Sequence, residues 1–259
     1  MELRNKIALV TGGGSGLGEA AARAMAAQGA EVILVGRTPD ELEEVADAIR
    51  NAGGKALALK ADVSDEPQMQ AVFDRVRSDY GRLDVVFANA GVNGTWAPVD
   101  ELTYDEWNKT QQINLGGTFL TARYSVPLMK ERGGSLIITS SINGTRTFTT
   151  AGASAYATSK AGQLAFGQML ALELAQYRIR VNVICPGAIE SEISDNTDQR
   201  NTEEAEVPAE FPQGDVPLTK GKPGKAEDVA DLVVFLGSDR SRHISGTPIW
   251  IDGAQSLLV

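Results

Sequence analysis

The sequence predicts an α/β fold, a doubly wound parallel sheet of about seven strands with helices on both faces. Three observations predict it. Short β-rich runs alternate with longer helical patterns along the chain. The runs, such as Ile7-Ala8-Leu9-Val10, are continuously apolar, as strands covered by helices on both faces must be. No repeat or linker divides the 259 residues, a length that α/β folds routinely hold as one domain.

The elements follow in order. A strand over residues 7–10 leads through a glycine-rich turn into an Ala-rich helix over 17–28. A second strand, 31–35, precedes a helix over 40–51 that starts at Pro39-Asp40. A third, 55–60, precedes a helix over 66–80, with Ser64 or Asp65 available as its N-cap. Strands at 84–88 and 135–139 bracket helical material from about 103 to 130. The proline-free stretch 161–174, rich in Ala, Leu, Gln and Glu, reads as helix. Strands at 179–184 and 248–251 complete the sheet, and the alternation implies right-handed crossovers. Residues 190–224, rich in Glu, Asp, Asn, Gln and Pro, break the pattern. They are expected to form a mobile substrate lid within a single domain spanning 1–259.

Composition excludes several functions. With 24 basic and 34 acidic side chains the formal net charge is −10, which argues against nucleic-acid and anionic-membrane partners. A single cysteine, Cys185, excludes an internal disulfide, and a single histidine, His243, excludes His-rich metal sites and a Ser–His–Asp centre. Residues 1–6 lack a signal peptide's apolar core, and no apolar run approaches the ~20 residues of a membrane span. A cytoplasmic, metal-free protein is expected.

Two local patterns carry chemistry. The turn Thr11-Gly12-Gly13-Gly14-Ser15-Gly16-Leu17-Gly18 lies between a first strand and an Ala-rich helix. Glycines there admit a pyrophosphate close to the backbone, and the helix N-terminus offers unpaired N–H groups, the Rossmann-type arrangement. The second strand ends Val35-Gly36-Arg37-Thr38, with no carboxylate for a ribose hydroxyl and a guanidinium suited to a 2′-phosphate. That favours NADP over NAD, although Arg37 stacked on adenine or facing solvent is the simpler alternative. Tyr156 and Lys160 stand four residues apart. On a helix they share a face, roughly 5–6 Å apart at Cβ. The ammonium is expected to hold the phenol below its usual pKa of about 10, giving a general acid or base near neutral pH.

Gly12-x3-Gly16-x-Gly18, Asn89-Ala90-Gly91, Asn114, Ser141, Tyr156-x3-Lys160, Asn182 and Pro186-Gly187, in this order and spacing, resemble the short-chain dehydrogenase/reductase family along nearly the whole chain. The resemblance implies a catalytic set of Asn114, Ser141, Tyr156 and Lys160, with Ser140 the rival for the serine. It implies that Asp62 and Val63 flank the adenine, that Asn89, Ala90 and Gly91 support the cofactor ribose, and that Ile189 and Ser191 contact the nicotinamide carboxamide. Ala88 stands where the family often has asparagine, and the interval from Ser141 to Tyr156 is a little long for the family. Asn93, Trp96, Asn143 and Phe148 are candidates for the substrate pocket. The implied activity is hydride transfer between a nicotinamide cofactor and a secondary alcohol or ketone, in a homotetramer or homodimer. The alternative is an inactive nucleotide-binding sensor or scaffold.

Overall fold

The structure, a computed structural model, describes residues 1–190, 197–208 and 215–258. Among them are nine strands: β1 (Ile7–Thr11), β2 (Glu31–Gly36), β3 (Lys55–Lys60), β4 (Val85–Ala88), β5 (Gly94–Trp96), β6 (Gly134–Thr139), β7 (Ile179–Pro186), β8 (Thr197–Gln199) and β9 (Pro248–Ile251). Seven form one parallel sheet in the order β3-β2-β1-β4-β6-β7-β9, while β5 and β8 pair separately. The helices are α1 (Gly16–Ala27), α2 (Pro39–Asn51), α3 (Glu66–Tyr80), α4 (Tyr104–Gln111), α5 (Gly117–Met129), α6 (Ser154–Leu174) and α7 (Ala226–Gly237). The expected doubly wound fold is therefore present, in a single domain.

Successive strand residues point to opposite faces, so each continuous apolar run feeds two cores. Ala8, Val10, Val32 and Leu34 meet Met25 of α1, Leu42 of α2 and Val229 and Val233 of α7 on one face. Leu9, Ile33, Val86 and Ile138 meet Phe73 of α3, Leu120 of α5 and Leu174 of α6 on the other. Helix α7 carried no expectation from sequence. Its run Leu232-Val233-Val234-Phe235-Leu236 has no polar face to set a helical period, because it is covered by both the sheet and α1.

Helix starts follow their caps. Asp65 caps α3 by accepting from the Gln68 backbone N–H at 3.0 Å, whereas Ser64 turns its hydroxyl to Asp62. Thr103 and Glu106 form a capping box at α4. The helix expected over 103–130 contains one widened π turn, Gln112–Gly116, between α4 and α5. Helix α6 begins at Ser154, ahead of the expected 161, and so takes in Tyr156.

The described residues of the stretch 190–224 bond to one another and to the rest of the chain at several points. Their ends are joined: Glu190 N–H donates to the Gly224 carbonyl, and Gly224 N–H to that of Ala188, both at 2.9 Å. Strand β8 runs parallel to β5. The Arg200 guanidinium grips both carboxylate oxygens of Glu106, at 3.0 and 3.1 Å, and the Glu101 carbonyl at 2.7 Å. Together with the Thr103 hydrogen bonds, that grip holds the Glu106 carboxyl down at about 2. Residues 191–196 and 209–214, including Ser191, lie outside the described residues.

One glycine ties β1, α1 and β4 together. A Cβ on Gly18 would overlap the Gly12 carbonyl oxygen and stand 2.9 Å from the Asn89 amide nitrogen. Gly18→Ala is expected to cost about 1–3 kcal/mol, the usual range for overpacking, read as a lower urea midpoint. Gly116→Ala, in helical backbone with no neighbour closer than 3.8 Å, should be neutral or stabilising in the same assay.

Candidate active site

The strand order reverses at β1 and β4: β1 leads out to β2 and β3, β4 to β6, β7 and β9. A crevice outside the carboxyl ends of the strands at such a switch point is where doubly wound folds bind ligands. Here the crevice is stitched open by side chains. The Thr11 hydroxyl accepts from the backbone N–H groups of Asn89 (3.0 Å) and Ala90 (3.2 Å), fixing the turn after β4 against the end of β1. Gly12 and Gly16 have φ of 66° and 52°, left-handed values that a side chain would strain. At the head of α1, Ser15 makes no side-chain capping hydrogen bond, so the first backbone N–H groups are left for an anion.

A cavity of about 450 Å³ runs from this loop across to β6. Every cofactor residue expected from sequence lines it except Gly18, which is buried beneath the loop, and Ser191. At one end lie Arg37 and Thr38, the latter heading α2 without a side-chain capping bond. Asp62 stands close by. Burial acts to raise its pKa, but hydrogen bonds from the Ser64 hydroxyl and backbone and the Arg37 charge outweigh it and hold the carboxyl below its ordinary value. Glu41, which sequence reasoning did not single out, also lines this end.

Ser141, Tyr156 and Lys160 line the other end. The two candidate serines separate clearly. The Ser140 hydroxyl is spent on the Lys160 carbonyl at 2.7 Å, holding α6 to β6. Ser141 accepts from the Asn143 backbone N–H at 3.1 Å and hydrogen-bonds to Tyr156. Lys160 extends under the tyrosine, its Nζ 5.5 Å from the ring centroid, and donates to the Thr139 carbonyl at 3.1 Å.

Asn114 is fully buried behind the cavity wall rather than lining it. It sits in the π turn, a distortion that recurs at functional sites. Its side-chain oxygen accepts from Val92 N–H (2.8 Å), and its amide donates to the Val92 carbonyl and to the Ser159 hydroxyl, both at 2.9 Å. Its own carbonyl accepts from Thr118 (2.8 Å) and Gln163 (3.0 Å). Gln163, Thr139 and Ser159 were not foreseen; only their i+3 to i+7 spacing on the helix of Tyr156, or their place at the end of β6, marks them.

The tyrosine differs from expectation. Burial raises the Tyr156 pKa above its ordinary value, and the Ser141 hydrogen bond opposes this without reversing it. Only these two influences act on the phenol; Lys160 turns its Nζ to the Thr139 carbonyl, and burial pushes its own pKa from 10.5 down to about 8. In the unliganded chain the phenol is therefore a neutral acid at pH 7.

Of the candidate substrate residues, Asn143 and Phe148 line a second cavity beyond the first. Asn93 donates to the Thr197 hydroxyl at 2.7 Å, joining the β5 and β8 strands' ends, and Trp96 is half-buried in β5. Neither lines either of these two cavities. Among the described residues no cluster of His, Cys, Asp or Glu is placed to hold a metal ion, and no helix is long and apolar enough to cross a membrane.

A phosphate-accepting loop opening onto the same cavity as a buried Ser–Tyr–Lys cluster defines a dinucleotide-binding oxidoreductase site. Comparison with known proteins agrees. Residues 12–254 match the family model described as enoyl-(acyl carrier protein) reductase. The chain is 35% identical to levodione reductase of Leifsonia aquatica, over 97% of this chain and 94% of that one. It is 34% identical to the 3-oxoacyl-acyl-carrier-protein reductase of Thermotoga maritima, over 98% of each. A crystal structure of a 3-ketoacyl-ACP reductase from Sinorhizobium meliloti superposes with a TM-score of 0.94 at 56% identity, covering 98% of this chain and 100% of that one. The chain belongs to the short-chain dehydrogenase/reductase family, whose members bind nicotinamide cofactors, and it is an oxidoreductase acting on CH–OH or ketone groups.

Lys160 makes the stability depend on pH. With its folded pKa near 8 against 10.5 in the open chain, the unfolded state holds a proton that the folded state has lost anywhere between these values. Stability from this group therefore rises with pH across that window, by at most ~1.4 kcal/mol per pH unit. From pH 8 to 9 the wild type should gain about 1 kcal/mol relative to Lys160→Met, measured by urea unfolding of the unliganded protein.

Proposed function

We propose that the protein is a carbonyl reductase that uses NADPH, reducing a ketone to a secondary alcohol and running in reverse on the alcohol. The observation that carries the reading is the buried Tyr156 hydroxyl, hydrogen-bonded with Ser141 and above Lys160, on the same cavity as the glycine loop. The residues present fit the cofactor: a glycine cradle that a Cβ would fill, since one on Gly12 would meet Ala90 Cα at 3.0 Å, and an open helix head behind it. Gly12, Gly14, Ser15, Gly16 and Leu17 hold its pyrophosphate, and Asp62, Val63, Asn89, Ala90 and Gly91 hold its adenosine and ribose. Pro186, Gly187 and Ile189 back its nicotinamide. When bound, it supplies or accepts the hydride.

The chain's own groups manage the proton and the charge. Ser141 donates to the carbonyl oxygen as negative charge develops there. Tyr156 gives its proton to that oxygen; a phenol kept neutral by burial is in the correct state for reduction. Lys160 would position the cofactor ribose. Asn114 holds the turn after β4 through Val92 and keeps the polar path behind Lys160 in place. Arg37, with the uncapped head of α2, supports NADPH over NADH. Phe119, Met169 and Leu172, exposed on α5 and α6, support association of chains into a dimer or tetramer.

NADPH oxidation followed at 340 nm with a panel of uncharged ketones tests the reading. Tyr156→Phe should lower kcat/KM about 10³-fold or more while NADPH still binds, and Ser141→Ala about 10²-fold. Unchanged turnover in Tyr156→Phe would sink the mechanism. Arg37→Asp should weaken NADPH binding about 10–100-fold and leave NADH binding within about threefold, as loss of one charge-assisted hydrogen bond requires; fluorescence titration reads both.

A further inference from the structure

We propose that the second cavity receives the apolar arm of an uncharged ketone or secondary alcohol, and that its acidic surroundings turn away anionic substrates. The inference rests on the reading of Tyr156 as the centre of carbonyl reduction, and it adds the substrate class.

The cavity holds about 940 Å³ and is continuous with the catalytic residues through the chain itself. Ala157, in its wall, directly follows Tyr156, and Asn143, also in its wall, donates its backbone N–H to the Ser141 hydroxyl. An arm attached to a carbonyl between Ser141 and Tyr156 therefore meets this space next. Its size suits the body of a small organic molecule, since ligand pockets run to ~300–1,000 Å³.

The walls say what the arm is made of. Val99, Phe148 and Val207, at 78%, 74% and 59% exposed, all belong to it, and alanine, glycine and proline supply most of the rest. Three large apolar side chains held open around one hollow gain by being covered. Polar contacts come from threonine and serine hydroxyls and one asparagine; among the described residues of the wall the one ionisable group is Glu206.

Charge sets the limit. The described stretch 197–208, which flanks the cavity through Ala205, Glu206 and Val207, carries Asp198, Glu203, Glu204 and Glu206. Its one cation, Arg200, is spent on Glu106 and Glu101. A phosphate or carboxylate on the arm would enter among like charges with no cation in the described wall to receive it. Repulsion at this range is only partly screened, because the Debye length is ~8 Å at physiological ionic strength. The carrier-borne acyl groups in the names of two relatives are therefore poor substrates here when the carrier is anionic.

The experiment uses the full chain with saturating NADPH and two matched series. The first is methyl ketones from butanone to 2-decanone. The second presents one acetoacetyl group on uncharged N-acetylcysteamine and on phosphate-bearing coenzyme A. We expect kcat/KM to rise at least about tenfold along the first series, as burying several methylenes requires. The N-acetylcysteamine thioester should exceed the coenzyme A thioester at least about tenfold at low salt, with the gap narrowing as salt is added. Val207→Asp and Phe148→Ala should flatten the first series, and Glu206→Lys should narrow the second gap. A flat first series, or preference for the coenzyme A thioester, overturns the inference while ketone reduction itself stands. Absence of turnover on every member, with NADPH bound, overturns the proposed function and the inference with it.

Discussion

The contact on which the site depends is the one between Gly18, the Gly12 carbonyl and the Asn89 amide. It has no room for a methyl group, so α1 lies directly on the loop and the loop directly on the turn after β4. From Asn89 the constraint passes inward. Its side-chain oxygen accepts from the Thr139 hydroxyl at 3.1 Å, and the Thr139 carbonyl accepts from Lys160. A chain of close contacts thus runs from the glycine loop after β1 to Lys160 on α6. The two halves of the site come from opposite ends of the fold but share one set of hydrogen bonds. Rigid positioning of this kind lets a static cavity act as a catalyst.

That positioning requires an unusual amount of buried polarity. Tyr156, Lys160, Asn114, Ser159 and Gln163 all lie at or near zero exposure, and a buried polar group is costly unless bonded. Most are satisfied: Asn114 through both ends of its amide, Ser159 by donating to the Tyr156 carbonyl at 2.7 Å, Gln163 by donating to Asn114 and Thr118. The Gln163 side-chain oxygen has no partner among the described residues, and Lys160 gives up much of its basicity. A protein selected only for stability would fill these positions with leucine. Their presence, on a helix already packed with alanine, is a physical argument for chemistry that does not depend on kinship.

Much of this was legible in the sequence, for a definite reason. A strand covered on both faces must be apolar throughout, so 7–10, 31–35 and 179–184 announced themselves, and a glycine loop between such a strand and a helix has few other uses. The features that stayed hidden depend on three-dimensional company. Helix α7 was missed because its run 232–236 is apolar throughout under two layers, which masks the period set by its acidic first turns. The π turn at Asn114 is set by side chains reaching Val92 and Ser159, far away in sequence. The choice of Ser141 over Ser140 turns on which hydroxyl finds the Lys160 carbonyl. The tyrosine pKa went the other way for a similar reason: helical spacing gives the distance to the ammonium but not the burial, and burial raises the phenol's pKa. In the stretch 190–224, expected to be a mobile lid, the described residues make the Glu190–Gly224 hydrogen bond and the β5–β8 pairing, bonds that no local pattern encodes.

The charge of the chain acts through locality rather than through its sum. A net charge of −10 would seem to oppose a cofactor that is itself anionic. Beyond about 8 Å, however, salt screens most of that field, and what a phosphate meets is the loop, the uncapped heads of α1 and α2, and Arg37. Glu41 and Asp62 stand at the same end, and hydrogen bonds from Ser64, helped by the Arg37 charge, hold the Asp62 carboxyl below its ordinary value. The substrate side has the same excess of carboxylates and no free cation among its described wall residues to offset them. One molecule thus presents an anion-accepting face and an anion-rejecting face on adjoining cavities. The difference arises from where a few cations and helix ends fall, which is why a net charge that argues against a nucleic-acid partner says nothing against a dinucleotide.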